Sequence, residues 1–338
     1  MNGKPFASFC FSTYNRPDYL RDTLKSIMAQ GFTDFEVIVS DNDINESGRV
    51  VVESFQDPRF KYFPNGENLG MKRSFNMSLS RSTGQYIVMI ADDDPVYPFM
   101  LESLHALSLE YPGYGMYMGG CDWFCTIKDV GKLYGFKVGT NTCLSSEHDL
   151  NYKNAYTPSE FLKAIFTFGI FPHYLWSTAI VKREILETAG GVPEYGTPFL
   201  GDYAYMSTIG ATGGCVILNR SLGCQTLHNE NFGRKQNEQL PVAARNFPAY
   251  IESKASHLPE WPAIQPLVMR FTAMWLVSHL SFLYTYNKKT NGDMQSLREA
   301  ANAVFAISYM KKYRFKYFLK TRMPFLHDIL VKLKKNLN

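Results

Sequence analysis

The run Gln85-Tyr86-Ile87-Val88-Met89-Ile90 ends abruptly in Ala91-Asp92-Asp93-Asp94-Pro95. A nearly unbroken apolar strand of this kind belongs in the middle of a sheet covered on both faces. Pro95 stops its ladder, because proline brings no backbone donor. Three consecutive carboxylates at the exit repel one another unless positive charge sits among them. The pattern predicts a layered α/β sheet with an acidic group at one strand exit. Two uses stand open for that group: holding a divalent cation together with a ligand's phosphates, or forming a solvated acidic turn that caps a helix over 96–107.

The residues before this strand alternate as parallel strands and helices do. Strands are predicted over 6–11, 35–39 and 59–63. Helices are predicted from Pro17 through Leu20, Leu24, Ile27 and Met28, over 46–55, and over 69–79. Pro17 suits a helix entrance, where its missing N–H would have no partner anyway. Beyond residue 110 the pattern changes to short strands over 115–120, 124–130 and 133–138, a helix over 156–168, a strand over 176–180 and a helix over 182–188. A helix over 203–209 and a strand over 215–218 complete a mixed sheet. Three helical segments then follow, near 237–256, 264–286 and 294–319. The expected organisation is a catalytic domain over 1–233, with a nucleotide-binding half (1–110) and an acceptor-binding half (111–233), followed by a helical extension with a basic tail over 234–338.

Apolar residues make up 45% of the 338 and charged residues 20%, which excludes a collagenous or globally disordered chain. The net charge of +4 hides an asymmetry: residues 309–338 hold nine Lys or Arg and one Asp, leaving a mildly acidic body. That balance argues against a nucleic-acid binder, and no specific nucleic acid is expected. Rings and cations alternate through Tyr309-Met310-Lys311-Lys312-Tyr313-Arg314-Phe315. Such a segment suits either an interfacial helix at an anionic membrane surface or packing in a helix bundle. The apolar stretch 264–286 contains Arg270 and His279, so a buried or surface-seated helix is expected there rather than a membrane span. The six cysteines form no dense framework and no apolar leader precedes Cys10, which points to free thiols in a reducing cytoplasm, with the protein cytoplasmic or peripheral on the cytoplasmic membrane face. Cys121 and Cys125 lack a second ligand pair at zinc spacing.

Ligands of parallel sheets gather beyond the strand ends. Thr13, Asn15 and Arg16 follow the first strand and supply hydroxyl, amide and guanidinium groups there. Asp41 ends the second strand, from where a carboxylate can accept hydrogen bonds from a nucleotide base, and Asn42 and Asp43 extend the same loop.

The ordered set Phe9-Cys10-Phe11-Ser12-Thr13-Tyr14-Asn15-Arg16, Asp41, Asn68-Leu69-Gly70 and Gly84-Gln85-Tyr86-Ile87 leading into Ala91-Asp92-Asp93-Asp94 resembles the GT-A glycosyltransferases of family 2. The likeness covers about residues 5 to 230. It implies an α/β GT-A-like nucleotide-diphospho-sugar transferase fold with a mixed central sheet and C-terminal helices. It also implies inverting transfer of one sugar, with Mn²⁺ or Mg²⁺, from a nucleotide-diphospho-sugar donor (UDP or dTDP favoured) to a glycan or lipid-linked glycan hydroxyl. By the same resemblance Asp41 contacts uracil or thymine, and Asp92, Asp93 and Asp94 form a DxD-like site. In that site Asp94 is the metal ligand, and Asp92 holds ribose or orders the loop. Asn68 and Gly70 lie under the nucleotide-sugar. The usual Arg-Asn pair six residues later is replaced by Phe75-Asn76, which leaves Arg73, or Lys72, to reach the diphosphate from an earlier position. Glu194 to Asp202 resembles the acceptor-side loop, with Gly201 in place of the common Glu and Asp202 as the catalytic base. An N-cap role for Asp202 is the structural alternative, and its helix terminus is expected to keep it ionised. His228 corresponds to a region that gives some GT-A enzymes a histidine for metal or diphosphate, and Asn229, Arg234 and Lys235 follow as phosphate-side residues.

Trp123, Tyr134, Tyr174, Trp176 and Tyr195 are candidates to stack on acceptor sugars, or to fill the core. Two other readings remain: a noncatalytic glycan-binding or scaffolding protein, and another nucleotide-dependent transferase. A processive synthase is disfavoured because no multi-helix apolar region is present to form a channel.

Overall fold

A computed structural model describes residues 3–128, 141–142 (backbone only), 152–167, 175–228, 236–326 and 329. The chain divides into two units: Met1–Glu194 with Asp202–Asn229, and Tyr195–Gly201 with Glu230–Asn338.

The first unit is built on one mixed sheet. Its strands are β1 (Ala7–Thr13), β2 (Phe35–Asp41), β3 (Phe60–Pro64), β4 (Tyr86–Ala91), β5 (Met116–Cys125), β6 (Asn141–Thr142), β7 (Lys153–Tyr156), β8 (Ala179–Lys182) and β9 (Cys215–Leu227). They lie in the order β3-β2-β1-β4-β8-β5-β9-β7, with β6 against β5. The pairs β1–β2, β1–β4 and β2–β3 are parallel, whereas β8 runs antiparallel to both of its neighbours. Every residue of β2 is buried, as a strand covered on both faces requires. The register is the key to the site. Thr13 pairs with Asp41 on one side, and Ser12 pairs with Ala91 on the other, so the exits of β2, β1 and β4 reach one edge together.

Helices cover this sheet for readable reasons. Helix α1 (Pro17–Met28) opens on proline, carries Asp18 in its first turn, and buries Leu20, Leu24 and Ile27 on one face. A short α2 (Arg49–Glu53) follows, then α3 (Met71–Arg81), which starts after Gly70 at φ 78° and buries Phe75 and Leu79. Next come α4 (Met100–Glu110), α5 (Pro158–Phe166), α6 (Arg183–Ala189) and α7 (Gly201–Gly213). The entrance of α5 is fixed by Glu160, whose carboxylate accepts from the Thr157 N–H at 2.9 Å.

Three expectations need correcting here. Residues Trp176–Thr178 form a 3₁₀ turn rather than a strand, because the Thr178 hydroxyl caps the Leu175 and Gly119 carbonyls at 3.0 and 2.9 Å. Strand β9 runs nine residues past its predicted end, to Leu227, through register shifts against Gly119, Gly120 and Cys121 of β5. The helix predicted over 96–107 starts only at Met100, since Tyr97 N–H and Cys224 N–H hydrogen-bond across to Leu222 and Pro95 carbonyls and hold this segment against β9. The predicted strand over 133–138 lies outside the described residues. The five described cysteines are buried and free.

The second unit is helical: α8 (Leu240–Ala255), α9 (Trp261–Thr290), α10 (Met294–Ala306) and α11 (Arg314–Arg322). Its core gathers Leu276, Val277, Leu280 and Leu283 of α9 with Leu297, Val304 and Phe305 of α10. Helix α9 is long and apolar enough to cross a membrane by length and composition, yet half of its most apolar window is buried in the protein. The single helix predicted over 294–319 is broken after Ala306. Extended backbone at Ile307 and a 3₁₀ segment bury Met310 and let the Tyr309 hydroxyl donate to the Ala244 carbonyl at 2.6 Å.

Candidate functional site

The acidic exit of β4 lies among side chains from four other elements. Thr13, at the end of β1, donates to Asp92 Oδ2 at 2.7 Å. Arg16 Nη1 spans Asp92 Oδ1 at 3.4 Å and Asp93 Oδ2 at 3.1 Å. Thr23 of α1 donates to the Asp92 carbonyl at 2.8 Å. The end of β9 adds two contacts: the Thr226 N–H donates to Asp94 Oδ1 at 3.3 Å, and His228 Nε2 lies 2.7 Å from Asp93 Oδ2. The His228 ring stacks on Tyr19 of α1 with centroids 4.3 Å apart. Ser177 donates to Asp94 Oδ2 at 3.4 Å.

Electrostatics make this group unusual. Burial first, then the charge of Asp93, pushes Asp92 up to about 7, although Arg16 and Thr13 pull the other way. Asp94 is held well above the carboxylate range by burial, by Asp93 and by Asp202. Asp202 stands in the first turn of α7 and is itself pushed up to about 6 by burial and by Asp93. The sequence reading expected the helix terminus to keep Asp202 ionised; burial and a like charge outweigh it. Just before it, Leu200 has φ 64°, a conformation that costs a non-glycine residue about 1 kcal/mol or more. Asn15, in the turn that presents Arg16, has φ 52°, which asparagine tolerates better.

Asp41 ends β2, where the sequence reading put it. It is fully buried, and its carboxylate accepts from the Asp43 N–H at 2.8 Å, the Gly48 N–H at 3.0 Å and the Tyr62 hydroxyl at 2.8 Å. A Cβ on Gly48 would come within 2.8 Å of Asp41 Oδ2, so glycine permits that approach. In this conformation Asp41 shapes the loop after β2 from beneath and shows a base no surface. Asn42 continues the scaffold by accepting from Asn65 Nδ2 and the Leu69 N–H at 3.0 and 3.3 Å.

The remaining candidates divide. Asn68 accepts from the Gly70 N–H at 3.0 Å and stays exposed, so this pair builds the turn entering α3. Arg73 points to Glu194, 4.0 Å away, with its side chain largely exposed, and not into the acidic group. Burial lowers Lys72 to about 8. Asn76 ties down the turn at Val192, accepting from its N–H at 2.8 Å. Among the aromatic candidates, Trp176 packs on Phe75 and Tyr205 in the core, with centroids 4.8 and 5.5 Å away. Tyr195 is buried in the second unit and stacked on Tyr250 at 5.1 Å. Trp123 is half-buried on β5. Tyr134, Tyr174, Asn229, Arg234 and Lys235 lie outside the described residues.

Sequence reasoning missed Tyr19, Thr23, Ser177 and Thr226. A signal existed for the first two, which sit four apart on the face of α1 that also carries Leu20 and Leu24. Among the described residues, no three His, Cys, Asp or Glu stand as a ready-made metal site. The donor chemistry nevertheless fits a hard divalent cation: clustered carboxylates, of which burial and like charge raise Asp92 and Asp94 in spite of Arg16, with an imidazole beside them.

Comparison with known proteins follows the same lines. An S. aureus TarS structure (residues 1–349, with UDP-GlcNAc) superposes with TM-score 0.59 at 17% identity, covering 93% of this chain and 86% of that one. The mannosyltransferase PcManGT from Pyrobaculum calidifontis, with GDP-Man and Mn²⁺, gives 0.55 at 15% identity, covering 97% and 88%. These likenesses show the GT-A-like fold. By sequence, the chain is 33% identical over 186 residues to the GalNAc(5)-diNAcBac-PP-undecaprenol beta-1,3-glucosyltransferase of Campylobacter jejuni, covering 54% of this chain and 53% of that protein. It is 30% identical over 95 residues to the putative teichuronic acid biosynthesis glycosyltransferase TuaG of Bacillus subtilis, covering 28% and 38%. The chain thus spans about half the length, or less, of these relatives. Residues 8–189 match glycosyl transferase family 2, and the chain belongs to that family.

Proposed function

We propose that this protein transfers a single sugar, with inversion and with Mn²⁺ or Mg²⁺, from a nucleotide-diphospho-sugar to a hydroxyl of a glycan or lipid-linked glycan in polysaccharide or glycoconjugate biosynthesis. The observation that carries the reading is the gathering of Thr13, Arg16, the Thr226 N–H and His228 around Asp92, Asp93 and Asp94 at the exit of β4, with the charge of Asp202 on α7 adding to the burial that raises Asp94. Asp94 and His228 would hold the cation, with Asp93 shared between them. Bound there, the cation would neutralise the departing nucleotide diphosphate. The metal is further supported by the family's general use of divalent ions and by the Mn²⁺ in the PcManGT structure.

The chain's own groups do the rest. Thr13 and Arg16 hold Asp92 and Asp93 in place, where they would face the bound nucleotide-sugar. Asp202, raised to about 6, suits a base that accepts the acceptor hydroxyl's proton as the oxygen attacks the anomeric carbon. UDP or dTDP is the favoured donor nucleotide, supported by the UDP-GlcNAc in the TarS structure, and GDP is the competing choice from PcManGT. A lipid-linked acceptor on the cytoplasmic membrane face is supported by the undecaprenol-linked glycan in the Campylobacter relative's name.

The test screens UDP-, dTDP- and GDP-sugars against free and lipid-linked glycans, following nucleotide diphosphate release and product mass. A product heavier by one sugar, lost in chelator and reduced about 10²-fold or more in Asp94→Asn, is expected. Full activity of Asp94→Asn in chelator overturns the metal assignment. Nucleotide monophosphate as the released product overturns the reaction.

A further inference from the structure

Within the helical unit, α9, α10 and α11 enclose a cleft of about 180 Å³. Its lining combines three guanidinium groups, Arg298, Arg314 and Arg322, with the rings of Tyr284, Phe305 and Phe318. No acidic side chain lines it. Among the described residues none of the three arginines forms an ion pair. Arg322 lies over the Tyr284 ring at 5.2 Å, which orients its guanidinium at the cleft wall. Helix α11 divides its cations between two faces: Arg314, Phe318 and Arg322, spaced four apart, line the cleft, whereas Lys316 and Lys320 reach back to Met274 and Ser278 of α9.

The mouth of the cleft is apolar and exposed. Phe318 is 47% exposed and stacks with Phe315, which is 66% exposed. Phe325 is 78% exposed further along the same segment. Residues 308–326 hold six Lys or Arg and no Asp or Glu. Arginine forks match phosphate oxygens, and exposed rings beside them match the glycerol and first methylenes of an acyl chain. The volume, below the roughly 300–1,000 Å³ of a small-molecule pocket, suits a headgroup phosphate rather than a whole ligand.

We infer that this cleft is a headgroup site for an anionic phospholipid, with Phe315 and Phe318 seated in the membrane interface and Arg298, Arg314 and Arg322 around the phosphate. The inference extends the lipid-linked acceptor reading to the surface on which such an acceptor would lie, and it is tested without donor or acceptor, so either can fail alone.

The full chain would be co-sedimented at 150 mM salt with vesicles of phosphatidylcholine alone or with about one third phosphatidylglycerol. Binding only to the anionic vesicles is expected, weakened about tenfold or more in Arg298→Gln/Arg322→Gln. Lys311→Gln/Lys312→Gln removes the same charge outside the cleft and should weaken binding much less. Equal losses in the two double variants would mean diffuse attraction and overturn the site. Circular dichroism checks the helices of each variant. Independently, Phe318→Trp in the otherwise intact chain should be quenched by brominated phosphatidylglycerol vesicles, and absence of quenching overturns the seating. Protection of the cleft by inorganic phosphate without any vesicle binding would assign it to a soluble phosphate, and preference for RNA over vesicles would likewise refute the proposal.

Discussion

Glu36 offers the sharpest test of how the sheet is held at the end away from the acidic group. Its Oε1 accepts from Ser8 Oγ and Thr83 Oγ1, each at 2.8 Å, and from the Thr83 N–H at 2.5 Å. Its Oε2 accepts from Lys61 Nζ at 2.8 Å. Ser8 Oγ in turn accepts from the Gly84 N–H at 2.8 Å. One carboxylate thereby joins β1, β2, β3 and the turn before β4. Burial on its own would raise its pKa, but the bonds from Lys61, Thr83 and Ser8 prevail and draw it from 4.5 down to about 2.

That shift caps the charge contribution at about 3 kcal/mol. The Lys61 side chain is 46% exposed, so solvent screens its share, and about 2 kcal/mol is the working value. Because the folded pKa is depressed, this stability is present above pH 4.5 and is lost as pH falls through about 2. Glu36→Gln should therefore cost about 2 kcal/mol at neutral pH, since a Gln NH₂ would face donors in place of an acceptor. The variant should also lose less stability than the parent between pH 5 and 2. Urea unfolding across that range, with hydrogen exchange of β1 and β2 amides, measures both effects. Residue 36 is about 16 Å along β2 from Asp41, so donor binding by the folded variant should be unchanged. A variant as stable as the parent, with the same acid dependence, would refute the clamp.

The parallel half of the sheet was legible because strands buried on both faces are written as largely apolar runs, as β4 is throughout and β2 is over Val37–Val39. The acidic exit was legible for the same reason, since three carboxylates closing such a run mark where the apolar strand ends and demand polar or positive partners. What failed to show was mostly pairing. Beyond Leu218 the polar residues Asn219, Arg220 and Ser221 hide the continuation of β9, which exists because β5 accepts it through shifted register. The apolar pattern therefore did not carry Thr226 and His228 to Asp94 and Asp93, and only the family resemblance put His228 among the candidates. Asp41 shows another limit. Its strand-end position was readable, but three donors converge on its carboxylate from its own loop and from β3, and that is a tertiary fact. The break at Ile307 likewise depends on a carbonyl of α8 that Tyr309 finds only after the helices pack.

Further outcomes follow from single contacts. Gly210→Ala on α7 should cost about 1–3 kcal/mol, read as a lower Tm, because its Cβ would come within 2.2 Å of the Phe161 ring on α5. Asp202→Asn should slow sugar transfer about 10²-fold or more with donor affinity by calorimetry preserved, whereas equal losses of affinity and stability would return Asp202 to a helix-capping role. Thr13→Val probes the acidic group itself, replacing a hydroxyl that donates to Asp92 at 2.7 Å with a methyl of the same shape. Asp92 is raised from 3.8 to about 7, so the folded state favours its neutral form, and the stability this confers is present below pH 3.8 and lost as pH rises through 7. At pH 5 the carboxyl is mostly protonated in the folded protein and the lost hydrogen bond should cost less than about 1 kcal/mol. At pH 8 it is ionised, the same bond is charge-assisted, and the cost should rise to about 2 kcal/mol. Urea unfolding in chelator at both pH values measures the difference, and an equal deficit at pH 5 and pH 8 would mean that the Thr13 hydroxyl does not support a charge on Asp92.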